Sequence, residues 1–102
     1  MSRLRVVFPK PGFFLTDTTV QVDVDGRNVF QGSFKAGFEL VVPVEPGAHR
    51  IDTRILLPPF SRKREFSVDV AATEVLTVEL SYSRFWGNFD KSPKTARAPL
   101  VP

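Results

Sequence analysis

Along most of the chain, apolar and polar residues alternate one for one. Phe34, Ala36, Phe38, Leu40, Val42 and Val44 are separated by Lys35, Gly37, Glu39, Pro43 and Glu45, with Val41 the one apolar exception. Val20, Val22 and Val24 alternate with Gln21 and Asp23 in the same way. His49, Ile51, Thr53, Ile55 and Leu57 oppose Arg50, Asp52 and Arg54. Phe66, Val68 and Val70 form a further run, as do Leu76, Val78, Leu80 and Tyr82, and Leu4, Val6 and Phe8 make a shorter one. Successive side chains of a strand point to opposite faces, so each run predicts a strand with one buried side. No segment sustains the 3.6-residue stripe of a helix.

The punctuation between the runs supports strands. Asp25-Gly26 has the chemistry of a two-residue hairpin turn, since Gly can take the positive φ that such turns need. Pro46-Gly47 predicts a second hairpin, with Glu45 opposite Ala48, Val44 beside His49 and Val42 beside Ile51. Pro58-Pro59 ends a run, because neither ring donates to a ladder. Pro43, inside a strand pattern, predicts an edge strand or a bulge. A turn at Ala71-Ala72 follows from register alone. The resulting expectation is an all-β fold, a single antiparallel β-sandwich of about seven strands. Its core is expected to include Leu40, Val42, Ile51, Val68, Val78 and Leu80. Residues 1–89 form the sandwich domain, and residues 90–102, with three prolines and few bulky apolar groups, read as a flexible tail.

The 102 residues carry no cysteine and one histidine, which removes a disulfide framework, thiol catalysis and multi-histidine or cysteine zinc sites. The net charge of +3 arises entirely after residue 82, from Arg84, Lys91, Lys94 and Arg97 against Asp90. A neutral body with a short basic end attracts polyanions weakly, so nucleic acid is not an expected partner. The sequence shows neither a signal peptide nor an apolar run long enough to span a membrane. The compartment stays open, with the cytoplasm favoured.

Val22-Asp23-Val24-Asp25-Gly26, then Val29, then Val44-Glu45-Pro46-Gly47-Ala48-His49-Arg50-Ile51 resemble the two motifs of PEGA-like domains, small bacterial sandwich modules of transthyretin-like or immunoglobulin-like build. The resemblance covers about a third of the chain. It lacks the Thr-Pro pair between the motifs, where Phe34-Lys35-Ala36-Gly37 stands, and the Gly-Tyr after the following strand, where Leu57-Pro58-Pro59-Phe60 stands. It implies a non-enzymatic accessory module; fold likeness alone carries no activity.

Candidate chemistry is sparse. His49 would have to serve any Ser-His-Asp site, yet no nucleophile motif lies near it, and a half-buried strand position accounts for it. Asp23-Val24-Asp25-Gly26 begins like a calcium loop, but Phe34 occupies the twelfth position, where a glutamate is required, and a hairpin explains the acids. Asp17 could add an oxygen from another loop. No catalytic residue, cofactor or metal site is therefore expected.

One pattern does point to binding. With strands running up and down, the short turns at residues 25–26, 46–47 and 71–72 fall at one end of the sandwich. The longer connections fall at the other. These hold Phe13, Phe14, Phe60, Phe85 and Phe89, five of the 10 phenylalanines, together with Trp86, the only tryptophan. Lys10, Arg62, Lys63, Arg64 and Arg84 ring them. The rings either plug the open end of the sandwich or form an apolar patch with a basic rim, the anatomy of a binding site. The leading expectation is an interaction or assembly module using Phe13, Phe14, Phe60, Arg62, Lys63, Arg64, Arg84, Phe85, Trp86 and Phe89. A protein partner or self-assembly is the expected occupant. The alternatives are a membrane surface or anionic ligand, and then a carbohydrate, for which one Trp and one Tyr supply few stacking faces.

Overall fold

The computed structural model describes residues 1–11, 17–57, 60–83 and 87–100, with Leu57 and Phe60 described through their backbones. Among these residues there is no helix. β1 (Ser2–Phe8), β4 (Phe38–Val44), β7 (Glu74–Glu79) and β10 (Lys94–Pro99) make one sheet, in the order β10-β7-β1-β4. β2 (Thr19–Val24), β3 (Arg27–Ser33), β5 (Gly47–Leu57) and β6 (Phe60–Val70) make the second, in the order β3-β2-β5-β6. β8 (Tyr82–Ser83) and β9 (Asn88–Phe89) form a small separate hairpin. The expected all-β sandwich is present, with more strands than the pattern suggested.

Period-two burial explains the packing. Leu4, Val6 and Phe8 from β1, and Leu76 and Val78 from β7, face Val20, Val22 and Val24 of β2, Ile51 and Ile55 of β5, and Phe66 and Val70 of β6. All of these are buried, and removing such surface from water is the main stabilising term. Of the expected core, Ile51, Val78 and Leu80 are buried. Leu40, Val42 and Val68 are only partly buried and pack against the rim of the core. β4 explains two of these, since it is an edge strand, as Pro43 predicted.

Three expectations about connectivity are corrected. β4 pairs with β1, whereas β5 pairs with β2 and β6, so Pro46-Gly47 is a crossover between sheets and not a hairpin. Val44 and His49 are not cross-strand neighbours. The inner faces of two strands look alike in sequence whether the strands lie side by side or stack across the core. Second, β1 and β7 run parallel, from Arg3↔Val75 to Val7↔Glu79, so the first sheet is mixed. Third, residues 94–99 are not a tail without ladder bonding: they pair antiparallel with β7 from Lys94↔Glu79 to Pro99↔Glu74.

The turn at Asp25-Gly26 is the hairpin expected, closing β2 and β3 with φ of 52° and 80°. Toward its base a bulge shifts the register between Val22 and Asp23. At the opposite end of the sandwich, Gly37 has φ 70°, and a Cβ there would lie 2.6 Å from the Phe8 carbonyl oxygen. Only glycine fits this close approach of two connections.

Candidate functional site

The ends of the sandwich differ as the run of connections predicted. The Asp25-Gly26 turn, the 46–47 crossover and the 71–73 crossover share one end. There Ser2 Oγ donates to the Ala71 carbonyl at 2.6 Å, and the Asp25 N–H donates to the Arg50 carbonyl at 2.8 Å. The last residues of β1, β3, β5 and β7 lie at the other end. Phe8 pairs with Phe38 there, and the Leu80 N–H donates to the Val7 carbonyl at 2.7 Å. The chain therefore leaves and re-enters the sandwich at this second end after β1, β3, β5 and β7. Leu57 pairs with Phe60, so the connection after β5, expected to be long, is only two residues, and the other three, to β2, β4 and β10, are longer.

Aromatic rings fill the mouth of that end. Phe8 stacks edge-on against Phe89 with centroids 5.1 Å apart and contacts Phe34 at the same separation. Phe34 meets Tyr82 edge-on at 5.1 Å, and Phe30 bridges the sheets to Phe38 at 4.8 Å. Phe34 and Phe89 are fully enclosed. Such tilted and edge-on pairs add to the burial of each ring.

Phe89 is thus a core residue, and its assignment to a partner-binding surface is corrected. The β8–β9 hairpin carries it inward because the hairpin is fastened to β6. Asn88 Nδ2 donates to the Lys63 carbonyl at 2.8 Å, and Arg64 Nε donates to the Phe89 carbonyl at 3.0 Å. Arg64 is consequently half-buried, spending its Nε–H on the plug. Arg62 and Lys63 are exposed, and neither makes an ion pair among the described residues. Phe13, Phe14, Arg84, Phe85 and Trp86 lie outside the described residues, as does the side chain of Phe60. In sequence, Arg84-Phe85-Trp86 joins the two strands of the fastened hairpin, from Ser83 to Gly87.

Asp17 organises the connection beside the aromatic mouth. Its Oδ1 accepts from the Thr18 and Lys35 amides, each at 2.8 Å, and its Oδ2 accepts from Ser33 Oγ at 2.5 Å. The Ser33 hydroxyl, then the Lys35 amide, hold this carboxyl below its usual range. Asp17 is therefore at the opposite end from Asp25 and adds no oxygen to the Asp23–Asp25 turn.

The outer face of the second sheet carries charge in rows. Arg54 and Lys63 stand directly opposite one another, and in the next row Asp52 stands opposite Glu65, with Asp23 beside Asp52. Arg50 Nε draws on the acids from the turn end, at 3.0 Å from Asp52 and 3.8 Å from Glu65, and Asn28 Nδ2 donates to Asp23 at 3.0 Å. Arg54 and Lys63 are left without an ion pair among the described residues. The basic rim thus extends from Arg62 onto this face.

His49, expected only to fill a strand position, is the centre of a cluster. Its Nδ1 donates to Asp25 Oδ2 and its Nε2 to the Glu45 carbonyl, both at 2.6 Å, while Asp25 Oδ1 accepts from the Arg50 amide at 2.9 Å. Asp25 first, then the Glu45 carbonyl, raise the histidine's pKa, and the same contact lowers that of Asp25. While the ring is protonated both nitrogens donate, and no lone pair is left to activate a nucleophile. The two motifs that carry the PEGA-like resemblance meet at this contact.

No family model matches the chain, and neither a curated protein nor a solved structure is significantly similar to it. Among the described residues, no helix is long and apolar enough to cross a membrane.

Proposed function

We propose that this protein is a non-enzymatic interaction module of the PEGA-like kind, which binds a protein partner or a second copy of itself through the aromatic and basic end. The observation that carries this reading is the asymmetry of the two ends. The turn end is tied down by Asp25, His49 and Ser2. At the other end Arg62 and Lys63 stand exposed, without an ion pair among the described residues, beside a hairpin fastened by Asn88 and Arg64. A rigid base beneath an aromatic-basic segment limits the ordering cost of binding there.

The test places a photo-crosslinking residue at position 86 and, separately, at position 47 of the turn end, in the cell from which the chain comes. Crosslinks concentrated at 86, to a protein or to the chain itself, are the expected outcome. Equal labelling at 47 overturns the reading. Co-sedimentation with anionic vesicles, abolished by Arg62→Ala with Lys63→Ala, would instead favour a membrane surface.

A further inference from the structure

We propose that β10 exchanges between copies of this chain: the C-terminal strand of one molecule pairs with β7 of a second, giving a strand-exchanged dimer. The inference is independent of binding at the aromatic end.

β10 stands apart from the other strands of the two large sheets in how it is held. All six of its residues are exposed, whereas each of the others contributes buried or half-buried side chains. Its anchors are the ladder to β7, the Arg97–Glu74 ion pair at 2.7 Å and the Leu100 N–H donated to the Thr73 carbonyl at 2.9 Å. Pro99 contributes no N–H to that ladder. A strand without buried apolar area is among the first to open locally, because no core packing opposes its release.

Opening leaves β7 in place. β7 is held from its other side by the parallel ladder to β1, and Leu76 and Val78 stay anchored in the core. Its vacated edge becomes a row of unpaired N–H and C=O groups, which is a template for another strand. The strand that fits is β10 itself. Its basic residues match the acids of β7, with Lys94 opposite Glu79 and Arg97 paired with Glu74. The β10 of a second copy rebuilds the same ladder and the same ion pair, so protein concentration alone opposes the entropy of association.

The chain also has a place to bend. Asp90 is tied back, its N–H donating to the Ser81 carbonyl at 2.8 Å, and Lys94 begins the ladder. Lys91, Ser92 and Pro93 alone lie between them, a short hinge of the sort that favours exchange over reclosure.

The absence of cysteine from the sequence allows a clean test. Thr77 and Ala96 are cross-strand neighbours on the outer face. The single variants Thr77→Cys and Ala96→Cys, one carrying a size tag, are concentrated together, diluted and oxidised. The expected product is the mixed disulfide, in a yield that rises with protein concentration and exceeds several-fold that of Val41→Cys with Ala96→Cys. Val41 is exposed on β4, at the far edge of the same sheet. The double variant T77C/A96C, closed within one chain, is expected to show less dimer by light scattering than the unmodified chain and to regain it on reduction, whatever association the aromatic end supplies. A mixed-disulfide yield no greater than the Val41 control overturns the proposal, as does a dimer fraction of the locked variant that reduction leaves unchanged.

Discussion

His49 fastens the β2–β3 turn to the crossover between sheets, with its Nδ1 2.6 Å from Asp25 Oδ2 and its Nε2 2.6 Å from the Glu45 carbonyl. Both contacts require the ring to donate, so the protonated form is the one the fold selects. Asp69 adds a weaker charge attraction from β6, and Arg50, across the turn, favours the Asp25 carboxylate.

A pH dependence follows, with a definite sign. The folded-state pKa of His49 lies above the ordinary value of about 6.5. Its contribution is therefore complete below that value and lost as pH rises through the folded-state pKa. Asp25 is held low, so its contribution is present above the ordinary carboxylate range and lost as pH falls through its own folded value. Urea midpoints from about pH 2 to pH 9 should fall on both sides of a mildly acidic plateau. His49→Gln should remove the alkaline fall and cost about 1 kcal/mol at pH 6, a modest figure because Asp25 is half exposed. An unchanged alkaline fall in that variant would place its origin elsewhere.

Gly37 and Gly26 give a matched pair. Both have positive φ, but an alanine at 26 meets nothing within 4 Å, whereas at 37 its Cβ lies 2.6 Å from the Phe8 carbonyl oxygen and 2.8 Å from the Lys10 nitrogen. Gly26→Ala should cost about 1 kcal/mol, the left-handed penalty alone. Gly37→Ala should cost about 3 kcal/mol, because two backbones must separate. Chemical denaturation of the two variants checks the difference; equal losses would contradict the close approach.

How legible the fold was depended on the physical signal involved. Alternation identified inward residues such as Val22, Ile51 and Val78 directly, because a buried face needs period two whatever the topology. It carried no information on which sheet a strand joins. Val44 and His49 looked like hairpin partners although their strands lie in different sheets. The parallel β1–β7 pairing brings together residues some seventy positions apart, and no local turn marks it. β10 was hidden for the opposite reason: it buries nothing, and its ladder uses backbone groups that every sequence has.

At the candidate site the same limits apply. Counting chain reversals placed the aromatic and basic connections together, since an odd or even count survives errors in pairing. It did not separate plug from surface, because a phenylalanine serves either role. The His49–Asp25 contact left one trace, namely that both residues adjoin short turns expected at the same end.

Leu40 and Leu76 test the corrected core. Both lie on inward faces, but Leu76 is 1% exposed on an interior strand, whereas Leu40 lies partly buried on the edge strand β4. Leu76→Ala should cost about 2–5 kcal/mol, the range for cavities in a rigid core. Leu40→Ala should cost about half as much, because less area is removed from water and the edge can relax. Thermal or urea unfolding distinguishes them, and a reversed order would mean that the first sheet is centred on β4.

Phe89 and the Arg62–Lys63 pair separate plug from rim. Phe89 is wholly enclosed, contacts Phe8 and Phe34, and sits on a hairpin whose carbonyl accepts the Arg64 Nε–H. Phe89→Ala should cost about 3–5 kcal/mol and reduce partner binding only through unfolding. Arg62 and Lys63 have no ion pair to lose among the described residues, so replacing both with alanine should leave stability within about 0.5 kcal/mol of the parent. The same double replacement should slow association and flatten its salt dependence, since exposed cations steer encounter more than they hold the complex. Denaturation and association kinetics on the same two proteins suffice. The proposed binding end requires the effects to fall on different axes, stability for Phe89 and association rate for Arg62 and Lys63. A double replacement that destabilised the fold as much as Phe89→Ala would make these cations part of the plug.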